Sequence, residues 1–180
     1  AVLHLRQRPG TDIALVNGLM HIILKNGWED KKFIEERTEG FEEFQALIEQ
    51  YTPEVAAKIT GVSESDLYKA AEILALNKPM AVVWAMGITQ HTVGVRNVMT
   101  LANLQMLLGN IGIPGGGVNP LRGQNNVQGA CDMGGLPNVY PGYQAVTAPA
   151  AKAKFEEAWG TPLDDKVGLT VTEMIPAAGE

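Results

Sequence analysis

From Asn97 to Ala151 the chain carries only two formal charges, Arg122 and Asp132. Half of its twenty glycines lie in the middle of that stretch, between Gly109 and Gly142. Amides are dense there too: Asn110, Asn119, Gln124, Asn125, Asn126, Gln128, Asn138 and Gln144. Such a segment makes a poor solvated surface, because it lacks charge, and a poor ordinary core, because it lacks long apolar runs. It suits a folded loop packed against something polar. Glycine lets backbone approach closely, and amides both donate and accept. A flexible linker is the other reading, but Leu136, Val139, Tyr140, Tyr143 and Val146 supply anchors that linkers lack.

The remaining composition narrows the class. The 180 residues are 46% hydrophobic and 19% charged, enough to fill a core and too apolar for disorder. A net charge of −6 argues against nucleic acid as a partner. The single cysteine, Cys131, excludes an internal disulfide framework and a metal site built from this chain's thiolates alone. No apolar run approaches a membrane span, and no basic-then-apolar leader opens the chain. A cytoplasmic location is the expectation. The chain begins at Ala1 in what reads as a strand, as a piece of a longer protein does.

Periodicity supplies the elements. Val2 to Gln7 alternates apolar and polar and reads as a short strand, ended by Pro9-Gly10. Thr11 or Asp12 then caps a helix with Ile13, Val16, Leu19, Met20, Ile23 and Leu24 on one face, closed by Gly27. Short helices follow from Asp30 to Arg37 and from Phe41 to Tyr51. Thr52-Pro53 opens another, stopped by Gly61. Ser63 starts a longer one with Leu67, Ala70, Ala71 and Leu74 on one face, stopped by Pro79. The run Ala81 to Met86 predicts a strand buried on both faces. Thr92 to Leu108 is apolar nearly all round and predicts a buried helix. The tail holds a helix at Ala153 to Trp159 and another near Val171 to Ile175. The expected class is therefore α/β: a Rossmann-like parallel sheet flanked by helices, with a long glycine/amide-rich loop. Its expected divisions are a helix-rich α/β portion (1–111), the glycine/amide segment (112–150) and a helical tail (151–180).

Three places carry candidate chemistry. Met86-Gly87-Ile88-Thr89-Gln90-His91 sits where a strand ends and a helix begins, the position at which open α/β sheets bind ligands. Its free N–H groups and Gln90 suit an anion or a polar ring; a plain turn is the bland alternative. Gly10-Thr11-Asp12 also follows a strand and opens a helix, which suits either phosphate binding or simple capping. In Asn119-Pro120-Leu121-Arg122-Gly123-Gln124-Asn125-Asn126, Arg122 is the only cation between Arg96 and Lys152. A lone guanidinium in weakly charged surroundings needs an anion. Asp132 is one choice; a substrate carboxylate or a phosphate is the other. Cys131 has no base placed beside it by the sequence and reads as inert. His4, His21 and His91 share no metal-ligand spacing, and His21 reads as a satisfied core residue.

The run Asn119 to Gly134, followed by Leu136-Pro137 and Tyr140-Pro141-Gly142-Tyr143, resembles the catalytic subunit of molybdenum- or tungsten-dependent formate dehydrogenases, in the dimethyl-sulfoxide-reductase superfamily. Trp84 to His91, Leu107 to Gly112, Thr38 to Glu42 and Tyr51 to Glu54 are similar to further segments of that family. The resemblance covers essentially the whole chain and is weakest after Trp159. It implies an interior piece of a longer enzyme, in which two molybdopterin guanine dinucleotides hold one metal. That enzyme takes formate to carbon dioxide and passes electrons to an iron–sulfur cluster.

The resemblance assigns roles residue by residue. Arg122 matches the arginine that orients formate at the metal. Met86, Gly87 and Gln90 match a turn touching a pterin cofactor, and Gly123 and Gln124 belong to the loop around the same centre. Gly10, Thr11 and Asp12 match a segment near the nucleotide end. The metal-ligating cysteine or selenocysteine and the [4Fe-4S] cysteines lie upstream in that family, so no metal ligand is expected here and Cys131 is not one. The implied partners are formate, the remaining domains of the subunit and electron-transfer iron–sulfur subunits. The piece alone is expected to be inactive. Competing readings are another molybdopterin oxidoreductase such as a nitrate reductase, and a non-catalytic nucleotide-binding or subunit-interaction module.

Overall fold

Local capping chemistry starts several of the helices, Asp30, Thr52 and Ser63 each accepting from an N–H of the first turn. A computed structural model describes residues 1–179. Helix α1 (Asp12–Lys25) is followed by α2 (Lys31–Arg37), capped by the Asp30 carboxylate accepting from the Phe33 N–H at 2.9 Å. Next come α3 (Phe41–Ile48) and α4 (Pro53–Thr60). Helix α4 has Thr52 as its cap, proline in its first turn and Gly61 in the left-handed conformation as its stop. Helix α5 (Glu64–Leu76) is capped by Ser63. Strand β1 (Ala81–Trp84), helical turn α6 (Met86–Thr89), helix α7 (Gly94–Leu107) and strand β2 (Gly117–Pro120) complete the first of two compact units, which ends at Leu121.

The core of this unit is built around α1, whose residues Ala14 to Ile23 are all buried. Met20 and Ile23 are fully enclosed, and α1 packs against α4, α5 and α7. A helix covered on every side keeps few polar positions, and those it has must be satisfied. His21 is one of them: its Nδ1–H donates to the Ile48 carbonyl at 3.1 Å, as expected of a core histidine.

Four expectations are corrected. Val2 to Gln7 is extended but is not a strand, because no strand among the described residues pairs with it. The alternation marks a real face nonetheless, since Leu3 and Leu5 pack on the core. Thr11 occupies the N-cap of α1 without a side-chain cap bond; its hydroxyl donates to the Arg8 carbonyl at 2.6 Å instead. The apolar run from Ala81 stops being a strand at Trp84, and Val83 remains 56% exposed. Likewise Val95 and Met99 of α7 face outward. The apolar sequence is right for burial on both faces, but within this chain only one face has a layer upon it.

Strands β1 and β2 pair in parallel, Ala81 opposite Gly117 and Trp84 opposite Pro120. This is a βαβ unit whose crossover contains α6 and α7. The α/β class therefore holds, and β2, too short to announce itself by pattern, supplies the second strand. One amide sets the pairing. Gln105 of α7, without exposed surface, donates from Nε2 to the carbonyls of Met80 (2.8 Å) and Gly117 (2.7 Å), at the starts of the two strands. Asn110, equally buried, donates to the Gln105 Oε1 and accepts from the Met80 N–H. Gly116 lies so close to the Asn110 carbonyl that a Cβ would overlap it.

The second unit begins at Arg122. It contains α8 (Val127–Asp132), an antiparallel hairpin of β3 (Val139–Tyr140) and β4 (Gln144–Ala145), α9 (Pro149–Trp159) and α10 (Val171–Ala177). The glycine/amide stretch 112–150 is thus divided between the units. A small core anchors it: Tyr140, Val146, Ala151 and Phe155 are buried together, with the Tyr140 and Phe155 rings 4.9 Å apart. Trp159 stacks on Phe155 at the same separation. That packing is what a linker lacks.

Gln105→Leu should destabilise the fold by roughly 2–4 kcal/mol, because two buried carbonyls and the Asn110 amide lose their partner together. Urea unfolding of the chain reads this directly; a loss below about 0.5 kcal/mol means the amide holds nothing.

Candidate functional site

At the carboxyl end of β1 the chain turns sharply into α6. The Gln90 N–H donates to the Met86 carbonyl at 2.9 Å, closing the turn. Two side chains that the sequence did not single out for this role lock it. His91 donates from Nε2 to the Gly87 carbonyl at 2.8 Å, and Asn97 donates from Nδ2 to the Ile88 carbonyl at 2.9 Å. Asn97 is itself buried, a polar side chain in the first turn of a largely buried helix, and that was the available signal. Gly94 lets α7 start directly against the Thr89 carbonyl, where any Cβ would collide.

The turn so fixed presents Met86, Gly87 and Gln90 outward. Met86 is 58% exposed, and a Cβ on Gly87 would meet open space. Among the described residues the Gln90 side chain has no hydrogen-bond partner. Immediately before the turn, the indole Nε1–H of Trp84 is buried with no acceptor. A buried donor without a partner is costly and uncommon.

Strand β2 ends beside the same turn: the Leu121 N–H donates to the Trp84 carbonyl at 2.7 Å. Arg122 is the next residue and opens the second unit. It is exposed, and among the described residues it forms no ion pair and no hydrogen bond. Asp132, the acidic alternative weighed for it, is engaged differently. Its nearby carboxylate, through hydrogen-bonding and charge effects, raises the Tyr143 pKa above the ordinary value, while Arg122 pulls it the other way. Its backbone carbonyl accepts from the Gly142 N–H at 2.7 Å. Tyr143 itself sits at a φ of 57°, which the glycine before it, at 72°, helps the tight hairpin accommodate. Gly123 and Gln124 are exposed beside Arg122, and a Cβ on Gly123 would meet no atom.

Gly10, Thr11 and Asp12 lie elsewhere in the first unit, at the start of α1. Asp12 accepts from the Gln7 amide at 3.1 Å and Thr11 is turned back on Arg8, so both have local partners. No described hydrogen bond links them to the Met86 turn. Cys131 is partly exposed on α8. No group of three or more His, Cys, Asp or Glu side chains among the described residues could hold a metal ion.

Comparison with known proteins decides the family. The family model for molybdopterin oxidoreductases matches residues 1–169. The chain belongs to the molybdopterin oxidoreductase family. This molybdopterin oxidoreductase segment is 52% identical over its whole length to the F420-dependent formate dehydrogenase 1 subunit alpha of Methanococcus maripaludis, of which it covers 26%. It is 49% identical to formate dehydrogenase H of Escherichia coli over 97% of the chain and 24% of that protein. The segment thus spans about a quarter of the length of these relatives. Among solved structures, acetylene hydratase from Pelobacter acetylenicus matches 62% of the chain and 15% of its own, with a TM-score of 0.59 and 28% identity.

The residues fit a pterin cofactor of that family. An orphaned buried indole donor, an open glycine and a free amide lie at or just beyond the end of β1. Fused heteroaromatic rings with amide and phosphate groups accept from such donors.

Asp132→Asn should let Tyr143 ionise at lower pH, because an anion beside the phenol opposes a second negative charge. Ultraviolet difference titration checks this, with Tyr143→Phe marking the relevant signal. An unshifted titration would show that the two groups do not interact.

Proposed function

We propose that this segment is the substrate-orienting and pterin-cradling portion of a formate dehydrogenase catalytic subunit. The unpaired state of Arg122 in a charge-poor stretch carries the reading. Formate has almost no surface, so its binding rests on charge and directed hydrogen bonds. A guanidinium supplies both through two parallel N–H donors. Each charge-assisted bond contributes about 1.5–3 kcal/mol. A carboxylate so held is oriented as well as bound, which makes the following transfer effectively intramolecular.

Around it, Met86, Gly87 and Gln90 contact one of two molybdopterin guanine dinucleotides, and Gly123 and Gln124 line the same centre. Gly10, Thr11 and Asp12 are assigned to the nucleotide end. When bound, the molybdenum or tungsten cofactor supplies the two-electron redox chemistry; this chain supplies position and electrostatics. The protein ligand to the metal and the [4Fe-4S] cluster belong to the remaining domains of the same subunit, and electrons leave through iron–sulfur partner subunits. The outward-facing Val83, Val95 and Met99 form the surface on which those remaining domains pack. The fold likeness to acetylene hydratase concerns architecture, which does not choose a substrate. The identity to formate dehydrogenases over the whole segment favours formate.

Arg122→Lys in the complete enzyme should lower kcat/KM for formate by on the order of 100-fold, because an ammonium cannot reproduce the bidentate fork. Metal and pterin content should stay at the wild-type level. Formate-dependent dye reduction with metal analysis checks both; unchanged kinetics removes Arg122 from the reaction.

A further inference from the structure

A groove far in sequence from the Met86 turn runs between α2, α3 and α7. Ile34, Phe41, Phe44, Met106 and Leu107 supply its apolar side and Thr38, Glu39 and Asn103 its polar side, around a cavity of about 200 Å³. It continues, across Ile34, Thr38 and Phe41, into a wider cavity of about 580 Å³. The wider part is acidic. Glu29, Glu35, Glu39, Glu42 and Glu43 line it against one cation, Lys31.

Four of the five glutamates are solvated. Glu29 is different: its side chain is only 10% exposed, and its Oε2 is buried with no hydrogen-bond partner. Its other oxygen meets the Lys31 ammonium at 3.7 Å, but Lys31 is 80% exposed and held loosely. A carboxylate taken out of water and left half-satisfied is costly, and a cationic donor relieves the cost. No metal explains it, since no cluster among the described residues could hold one. A basic side chain is the kind of group that would pair with it.

We propose that this groove is the docking site for a basic, apolar-anchored segment of a partner protein chain. An apolar side chain of that segment seats between Phe41, Phe44 and Met106. A lysine or arginine beside it reaches Glu29, and further basic residues face the acidic rim. Charge separates this occupant from the remainder of the same polypeptide. Permanent interfaces are depleted in charge at their centres, whereas a rim of solvated carboxylates keeps an exposed groove soluble and steers a separable cationic partner. The proposal needs a partner chain, not formate as substrate, so it stands or falls apart from the function proposed above.

The test uses the complete catalytic subunit purified with its partner chains. A water-soluble carbodiimide, which joins carboxylates directly to lysines, is followed by peptide mass spectrometry. The expected result is amide links from Glu39, Glu42 or Glu43 to a lysine of a different chain. The triple variant E39K/E42K/E43K should weaken that chain's association by about tenfold and flatten its salt dependence. Glu29→Gln, which preserves shape, should weaken it severalfold. Dye-linked turnover by the catalytic subunit alone should be unchanged in both variants, which reads catalysis separately. Links confined to the subunit's own polypeptide, or association and salt dependence that do not change in the variants, would overturn the proposal.

Discussion

The Gln105 amide is the hinge on which the placement of the first unit's chemistry turns. A two-stranded parallel sheet has little stability of its own. Here the two strands begin at carbonyls held by the same side-chain nitrogen, and Asn110 holds that side chain in turn. With their starts fixed, both strands deliver their carboxyl ends side by side, where the Leu121 N–H meets the Trp84 carbonyl. Every side-chain nitrogen and oxygen of the two buried amides has a partner, so they specify one register instead of merely tolerating burial. The turn after β1 is then held by a second pair of polar contacts, from His91 and Asn97. Site geometry in this unit is thus a chain of hydrogen bonds anchored in a helix core.

The scarcity of charge between Asn97 and Ala151 has a complementary effect. With few competing carboxylates nearby, a guanidinium stays available. The one local candidate, Asp132, forms no ion pair with it among the described residues. A low density of charge also means weak screening by the protein itself, so an arriving anion feels Arg122 more strongly than it would on an ordinary surface. The same chain does the opposite around Glu29, where carboxylates crowd a groove.

Much of the fold was legible because the relevant physics is local. Asp30, Thr52-Pro53 and Ser63 start helices by satisfying N–H groups within a few residues, and Gly61 stops one by adopting a positive φ. Elements that depend on distant partners were misjudged. Val2 to Gln7 has strand alternation without a neighbouring strand, and Val83, Val95 and Met99 have core chemistry without a covering layer. Strand β2 was invisible because Gly117–Pro120 has no apolar run, and it exists through Gln105 and its pairing with β1. Met86, Gly87, Gln90 and Arg122 stand out in the sequence by motif and charge, and the structure leaves Met86 and Arg122 exposed. His91 and Asn97 were not assigned their positioning role, because that role is set by carbonyls whose direction no pattern reveals. The rim glutamates look like a solvated face in sequence, and only burial sets Glu29 apart.

Direct sight of the anion is the sharpest test. A crystal structure of the complete, cofactor-loaded subunit soaked with formate should show a carboxylate paired through both oxygens to the Arg122 guanidinium, with Asp132 still turned to Tyr143. A guanidinium pointing into bulk water, or closed onto an acidic side chain away from the cofactor, would contradict the account.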